Sequence, residues 1–176
     1  QGTGTLNVGV FDWNGGTIGG GVSVTADNLT FDLTGKSDTM IGTANLTSTG
    51  FASWISDNNY AVNLNAGNVY TNQGAMSINT VGGSGWSGGT FNNTGNLNKI
   101  NADTNTISAI FNNSGIVNVQ AGTLRLAGGD GGGPTIEWFD ISAGAALNFG
   151  GSFALNANSS VTGDGNVLFS AGTTSV

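Results

Sequence analysis

The sequence predicts an all-β protein, and three observations support this prediction. Short segments in which apolar and polar residues alternate recur along the chain, and each ends at Gly, Asn or Asp. No window carries apolar residues at positions i, i+3, i+4 and i+7, which is the spacing of an amphipathic helix. Similar motifs also return at intervals of about 20 residues, which indicates that the strands are arranged as repeats.

The alternating segments locate the strands in order along the chain. They cover residues 4–10, 21–26, 29–33, 60–66, 115–121, 123–128 and 166–171. Hydrophobic residues make up 38% of the chain, so it has enough apolar surface to fold although only 7% of its residues are charged. We interpret residues 1–176 as a single domain, with less regular repeats over 1–89, regular repeats over 90–176 and a Gly-rich loop at 128–134.

Two repeated motifs indicate how the strands connect. The first appears as TFNNTG at 90–95 and as IFNNSG at 110–115, and its glycine spacing extends back to Gly74. The second is an Ala-Gly pair that follows a strand, as in VQAGTLRL at 119–126. Short strands with Gly and Asn corners at this period favour a right-handed parallel β-helix (β-solenoid) of about eight coils. At about 4.8 Å per coil, it would be a rod roughly 40 Å long.

An antiparallel β-sandwich is the alternative architecture for a chain of this length. A sandwich would need hairpin signals such as Asn-Gly between its strands. The sequence contains one Asn-Gly pair, at 14–15. The 20-residue spacing of Phe11, Phe31 and Phe51 also favours the solenoid.

Stacked coils would place like residues over like residues. The pairs expected to stack are Phe91 with Phe111, Leu97 with Val117, Asn93 with Asn113 and Gly95 with Gly115. The apolar pairs would fill the core, and the glycines would let the corner turn without a Cβ clash. The asparagines are expected at the corner in left-handed backbone, with their amides bonded from coil to coil. Lys99 falls opposite Val119, and we expect it at the edge of a coil with its amine in solvent.

The charge balance excludes two classes of partner. Ten acidic residues outnumber three basic ones, Lys36, Lys99 and Arg125, which gives a net charge of −7. Nucleic acids and anionic membrane surfaces need clustered cations, and these three are scattered along the chain. No run of 18 apolar residues is present, so membrane insertion is not expected. Cysteine and histidine are absent, which excludes disulfides and His-based catalysis.

A few acidic and aromatic residues are candidates for binding sugars or calcium. Asp12 and Asp32 both follow Phe, 20 residues apart, and could stack on adjacent coils as a carboxylate pair. Asp130 in GGDGGG could bind calcium, with a flexible protrusion as the simpler interpretation. Trp138 and Asp140 could contact a glycan, although we expect the four Trp residues to lie in the core. We expect no catalytic residue, no metal site and no cofactor, with calcium left open.

The first and last segments of the sequence both have the residue pattern of part of a coil. If one copy followed another, FSAGTTSV would continue into QGTGTLNVG as a plausible coil. Such an end-to-end contact would use Leu6, Val8, Val10, Phe169 and Val176. A heterologous contact that does not close produces an open filament. A fragment cut from a longer array is the alternative.

The regular part of the chain resembles a known class of repeat array. FNNTG, FNNSGIVNVQAGTLRLAGG and GGSFALNANSSVTGDGNVLFSAG are similar to repeats of very large secreted bacterial proteins. Such repeats form the β-solenoid stems of filamentous-haemagglutinin and autotransporter-type adhesins. The likeness is good over 90–176 and looser over 1–89. It implies a β-solenoid fold, export and a role at the bacterial cell surface or in the extracellular matrix, and it implies no active site.

Together these observations predict an extracellular structural protein rather than an enzyme. The chain would be the stem of a surface adhesin or a filament subunit. Its partner would be itself, in a head-to-tail homopolymer, or the flanking repeats of a longer chain. The alternative is a carbohydrate-binding or carbohydrate-cleaving β-helix, which would recognise surface glycans through a groove of clustered acids and aromatics.

Overall fold

The computed structural model describes residues 3–132 and 138–175, and it confirms the all-β prediction. These residues form 21 strands and no helix. Every pair of neighbouring strands is parallel. Parallel pairing throughout these residues excludes the antiparallel β-sandwich, whose hairpins join strands of opposite direction.

The strands are arranged in three sheets. The largest has 11 strands, which are β1 (Thr5–Trp13), β3 (Ser23–Asp32), β5 (Asn45–Ser56), β7 (Val69–Asn72), β8 (Ala75–Thr80), β10 (Thr90–Asn93), β11 (Asn96–Lys99), β13 (Ile110–Asn113), β14 (Ile116–Val119), β16 (Trp138–Ile141) and β19 (Ser160–Thr162). The second has eight, which are β2 (Gly16–Gly19), β4 (Asp38–Ile41), β6 (Ala61–Asn63), β9 (Gly85–Ser87), β12 (Thr104–Ile107), β15 (Thr123–Leu126), β17 (Ala146–Phe149) and β20 (Asn166–Phe169). The third consists of β18 (Phe153–Ala154) and β21 (Thr174–Ser175).

The eight-stranded sheet gives the number of coils, because each coil contributes one strand to it. Its order, β2-β4-β6-β9-β12-β15-β17-β20, follows the chain, which confirms a parallel β-solenoid of eight coils. In the first three coils, one long strand of the largest sheet occupies the positions that two short strands occupy in the coils that follow. β5 shows this directly, because its first half pairs with β7 and its second half pairs with β8.

The predicted register is confirmed in the regular repeats. β10 lies beside β13, with Phe91 opposite Phe111 and Asn93 opposite Asn113. β11 lies beside β14, with Leu97 opposite Val117. The repeated motif therefore occupies the same position in two successive coils.

Phe11, Phe31 and Phe51 lie 20 residues apart, but this interval is not the length of the first coils and the three residues do not stack on one another. Phe11 lies opposite Leu29, and Phe31 lies opposite Trp13. The reason is that coil length varies: equivalent residues are 18 apart between β1 and β3, and 24 apart between β5 and β7. A register shift between β3 and β5 adds a further irregularity.

The interior of the coils is filled by stacked apolar side chains, and its central part is aromatic. The ring centroids of Phe31 and Trp86 are 4.8 Å apart, as are those of Trp86 and Phe91. Phe91 meets Phe111 edge-on at 5.3 Å. These separations lie in the range favoured for aromatic pairs, so the coils are joined by ring contacts as well as by backbone hydrogen bonds.

The four Trp residues divide between core and surface. Trp13, Trp54 and Trp86 are buried, as expected. Trp138 is 52% exposed, so the expectation of a core position is wrong for this residue. Strand alternation is the cause, because β16 turns its neighbour Phe139 inward and Trp138 outward.

The neighbouring coil requires glycine at the corners. A Cβ on Gly95 would lie 2.0 Å from the carbonyl oxygen of Gly74, and a Cβ on Gly115 would lie 2.0 Å from that of Gly95. No side chain fits at this distance from a backbone atom, which confirms the predicted Cβ clash. Close approach between coils, rather than left-handed backbone, therefore selects these glycines.

Candidate functional site

Three buried asparagines form a hydrogen-bonded ladder inside the coils. Nδ2 of Asn72 donates to Oδ1 of Asn93 at 2.8 Å, and Nδ2 of Asn93 donates to Oδ1 of Asn113 at 2.7 Å. The Asn93 amide also donates to the carbonyl oxygen of Ile116 at 3.2 Å. The predicted amide bonds between coils are confirmed. The predicted left-handed corner is wrong, because Asn93 and Asn113 lie in strands with ordinary backbone and point inward.

Two further amide contacts lie on the outward side of the same sheet, one between β10 and β13 and one between β11 and β14. Nδ2 of Asn112 donates to Oδ1 of Asn92 at 2.9 Å, and Nδ2 of Asn118 donates to Oδ1 of Asn98 at 2.8 Å. The sequence analysis did not single out these residues, although the same 20-residue spacing would have found them. Stacking of like residues thus operates on both sides of the sheet.

Lys99 is buried, so the expectation of an amine in solvent is wrong. β11 places it in an inward row between Ile78 and Val119, and its side chain is fully covered. The amine donates to the carbonyl oxygens of Asn101 and Ala121, the latter at 3.1 Å. Burial lowers the pKa of Lys99 to about 8. The alkyl stem therefore continues an apolar row while the amine satisfies backbone carbonyls at a corner.

Asp38 is a buried carboxylate that the sequence analysis missed. It begins β4, opposite Gly16 and Val62, and is fully covered. Neither carboxylate oxygen has a hydrogen-bond partner of good geometry among the described residues. Burial raises the pKa of Asp38 to about 7, and the nearby backbone of Gly15 offsets part of this rise. The polar context KSDT resembles a loop, so the sequence carries no signal of this burial.

Asp130 is held by the backbone, and the interpretation as a flexible protrusion is wrong. Its side chain is buried, with Oδ1 accepting the N–H of Gly132 at 2.8 Å and Oδ2 accepting the N–H of Ala154 at 2.6 Å. Both oxygens therefore face amide hydrogens, and the carboxylate ties its own loop to the next coil. Residues 133–134 of the predicted Gly-rich loop lie outside the described residues.

Asp12 and Asp32 do not form the carboxylate pair that their spacing allowed. Asp12 lies opposite Thr30, and Asp32 lies opposite Ile55. The Asp32 carboxylate accepts the N–H of Thr34 at 3.0 Å, and hydrogen bonding to Thr34 lowers the pKa of Asp32. Within residues 3–132 and 138–175, no three acidic side chains are grouped so that they could hold a metal ion.

The outer surface of the largest sheet carries two rows of side chains that include Trp138 and Asp140. The first row consists of Asn96, Ile116, Trp138 and Ser160. The second row consists of Asn98, Asn118, Asp140 and Thr162. We refer to these eight residues as the Trp138 face. The structure thus brings the two glycan candidates together on one strand, pointing to the same side.

A cleft lies on either side of the Trp138 ring. One cleft has a volume of about 420 Å³ and is lined by Ile116, Trp138, Phe139, Asp140, Asn158, Ser160 and Thr162. The other has a volume of about 550 Å³ and is lined by Thr94, Gly95, Asn96, Ser114, Gly115, Ile116 and Trp138. Ile116 and Trp138 line both clefts, so the clefts are adjacent, and we refer to the two together as the trough. The indole N–H donates to the carbonyl oxygen of Asn158 at 3.4 Å, which orients the ring.

The first coil leaves part of its apolar row uncovered. Leu6 and Val8 lie opposite the buried residues Val24 and Ala26, so both continue inward rows of the core. Leu6 is nevertheless 43% exposed, because no described residue covers its other side. Val10 lies at an outward position and is 63% exposed, so it does not continue an inward row.

The last coil shows the same arrangement. The Phe169 ring stacks on the Phe149 ring with centroids 5.3 Å apart, yet Phe169 is 59% exposed. Val167 is also in an inward row and exposed, whereas Leu168 between them points outward. Val176, the remaining residue of the predicted end-to-end contact, lies outside the described residues.

The architecture defines the class of protein as a parallel β-solenoid. No protein-family model, curated protein or solved structure matches the chain. In the described parts of the chain, no helix has the length and apolar character needed to cross a membrane. The stacked rows, the two end coils and the Trp138 face are the features that bear on function.

Proposed function

We propose that the protein is an extracellular structural element, a length of β-solenoid rod that serves as the stem of a bacterial surface adhesin or as a filament subunit. Its work is mechanical, since it supplies length and stiffness. The likeness of residues 90–176 to adhesin stems supports a place outside the cell. The absence of cysteine means that this rod would be held together without disulfides.

The side-chain contacts support a mechanical role. The buried Asn72–Asn93–Asn113 ladder and the Phe91–Phe111 contact each join one coil to the next. Contacts of this kind add up along the axis of a repeat protein, so each coil is stabilised by its neighbours. Stiffness along the rod follows from the same contacts.

The main observation behind the proposal is the exposed apolar side chains of the two end coils. Leu6 and Val8 at one end, and Val167 and Phe169 at the other, continue inward rows and stand partly uncovered. Another coil of the same kind, placed in register, would cover these side chains and pair the outer edges of the terminal strands. A second copy can supply that coil only head to tail, because all strands are parallel. The result is an open filament.

The test is negative-stain electron microscopy of the purified protein over a range of concentrations. We expect uniform fibres much longer than the roughly 40 Å of one rod at 4.8 Å per coil. Phe169→Asp should abolish the fibres, because it puts a charge into the row that the next copy would cover. Leu168→Asp is the matched control, since it changes an exposed, outward residue of the same strand and should leave the fibres intact.

The outcomes distinguish a filament subunit from the stem of a longer protein. Fibres that Phe169→Asp removes and Leu168→Asp retains would support stacking between copies. Single short rods at every concentration would contradict stacking between copies and would favour a stem whose end coils are covered by flanking repeats. Particles that are not rod-shaped would overturn the structural role itself.

A further inference from the structure

Trp138 is the one Trp residue of the described chain that lies outside the core. Its strand already contributes Phe139 and Ile141 to the interior, so the indole is not needed for packing. The ring is oriented by its N–H bond to Asn158 and stands on a stacked sheet. A rigid exposed aromatic loses little conformational entropy on binding, which makes it a suitable platform for a ligand.

The trough around this ring is elongated along the rod. Its lining residues come from β11, β14, β16 and β19, four neighbouring strands in four successive coils, and from the corners that precede β11, β14 and β19. At about 4.8 Å per coil, the four strands span about 14 Å. The two clefts have volumes of about 420 and 550 Å³, each within the usual range for a ligand site. An extended ligand that crosses the indole would fill both clefts.

The lining chemistry favours a ligand that is rich in hydroxyl groups. Thr94, Asn96 and Ser114 on one side offer hydroxyl and amide groups that both donate and accept hydrogen bonds. Ser160 and Thr162 add hydroxyl groups on the other side, beside the carboxylate of Asp140. A sugar ring matches this arrangement, because its C–H face packs on an indole while its hydroxyl groups reach the polar side chains at the edge.

The charges of the face favour a neutral ligand. Asp140 is acidic, and the three cations of the chain are placed elsewhere. Lys36 packs beside Gly15, Lys99 is buried in the core, and Arg125 belongs to β15 of the eight-stranded sheet. Sulfated, phosphorylated or uronic-acid chains would meet a carboxylate without a compensating cation.

The exposed apolar surface of the face is small for a contact between rods. It consists of the Trp138 ring and the partly covered side chain of Ile116, with polar residues on both sides. A stable protein–protein interface generally buries about 1,200 Å² or more of total surface. The same amount of apolar surface is suited to a single sugar ring and its neighbours.

We propose that the Trp138 face binds a neutral glycan chain, with Trp138 as the platform under one sugar ring and Asp140 as a hydrogen-bond acceptor for its hydroxyl groups. This function goes beyond the structural role and does not depend on stacking between copies. A rod that carries such a site would be attached along its side to a neutral polysaccharide.

The test uses four soluble hexamers as probes: cellohexaose, maltohexaose and hexa-N-acetylchitohexaose as neutral chains, and hexagalacturonate as an anionic one. Calorimetric titration of the full chain should detect binding of at least one neutral hexamer and weaker binding, or none, of the anionic one. Trp138→Ala should weaken the affinity at least about tenfold, the change expected for the loss of one aromatic contact of about 1.4 kcal/mol. Phe51→Ala is the matched control, because Phe51 is 49% exposed in the same outward row but lies outside the trough.

Intrinsic fluorescence supplies a second readout, because a bound sugar would change the emission of the exposed Trp138 while the three buried Trp residues remain shielded. Each of three results would overturn the proposal. These are no binding of any neutral hexamer, equal affinity of the Trp138→Ala variant and the unchanged protein, and preference for hexagalacturonate. A lower sedimentation coefficient of Trp138→Ala than of the unchanged protein would identify the face as a contact between copies, and would also overturn it. Phe169→Asp should leave glycan affinity unchanged, which separates this proposal from filament formation.

Discussion

Asp38 is the residue at which burial and charge oppose each other most directly. A carboxylate without hydrogen-bond partners is costly to bury in its charged form, so the folded protein favours the protonated acid. Nearby Asp32 strengthens this preference and Lys36 weakens it. The balance raises the pKa to about 7, so the Asp38 carboxyl group gains or loses its proton near neutral pH.

This shift predicts an unusual dependence of stability on pH. The folded state holds the Asp38 proton up to about pH 7, whereas the unfolded chain loses it near 3.8. The contribution of Asp38 is therefore fully present below pH 3.8 and is lost as the pH rises through 7, by about 2–4 kcal/mol in total. Urea melts between pH 4 and 8 should show the free energy of unfolding falling with pH in the unchanged protein, and this fall should be absent in Asp38→Asn. The exposed residue Asp164, changed to Asn, is the control. Parallel curves for the unchanged protein and Asp38→Asn would contradict the prediction.

Phe111 shows how much one core side chain contributes. Its ring is fully buried and meets Phe91 at 5.3 Å, so truncation would leave a cavity between two coils. Phe111→Ala should lower the free energy of unfolding by about 3–5 kcal/mol. Ile110→Ala, one residue earlier on the outward side and 38% exposed, should cost less than about 1 kcal/mol. A urea melt that shows a loss under 1 kcal/mol for Phe111→Ala would count against the stacked core.

At the scale of a coil, the glycine corners set how closely one turn of the chain can lie on the next. Gly95→Ala would bring a methyl group to within 2.0 Å of the Gly74 carbonyl oxygen, so backbone must move in both coils. We expect a loss of about 1–3 kcal/mol in a thermal or urea melt. Gly9→Ala is the matched control, since Gly9 lies in a strand with open space around it and should change stability by less than about 0.5 kcal/mol. A loss for Gly95→Ala no larger than that for Gly9→Ala would show that contact between coils does not require glycine at this corner.

The register of β10 with β13 and of β11 with β14 could be predicted because both pairs keep a 20-residue interval, whereas the interval is 22 between β14 and β16 and 23 between β15 and β17. The motifs at 90–95 and 110–115 lie 20 residues apart, and the register of β10 with β13 follows from this spacing. In the first coils the length changes from one coil to the next, so a fixed interval misaligns the phenylalanines. β5 was missed for a related reason, because NLTSTGFASWIS mixes small and polar residues around the corner at Gly50.

The candidate site was only partly predictable. Trp138 and Asp140 could be named, but their side of the sheet depends on the alternation within β16, which sequence alone did not fix. Lys99 also lies in a strand whose residues alternate between the two sides, but its charge led us to expect a position in solvent. The structure resolves the conflict because the amine donates to the carbonyl oxygen of Asn101, two residues along the chain, and to that of Ala121, which the next coil brings near.

At the scale of the whole molecule, the two proposed partners would meet different parts of the rod. A second copy would cover the apolar rows of the end coils, whereas a glycan would lie along the Trp138 face on the side. Because different residues form the two surfaces, Phe169→Asp should abolish fibres without changing glycan affinity, and Trp138→Ala should weaken glycan affinity without changing fibres. A net charge of −7 with few cations would add long-range repulsion between neighbouring rods at low salt.

The amide ladder gives the interior of the rod a direction. Asn72 donates through its nitrogen to the oxygen of Asn93, and Asn93 donates in the same way to Asn113, whose own nitrogen has no partner among the described residues. The dipoles of Asn72, Asn93 and Asn113 therefore point the same way and polarise one another. Reversing the central amide would place nitrogen against nitrogen and oxygen against oxygen, so two contacts fail together. The ladder consequently behaves as one aligned unit, in which the orientation of any amide is enforced by its neighbours.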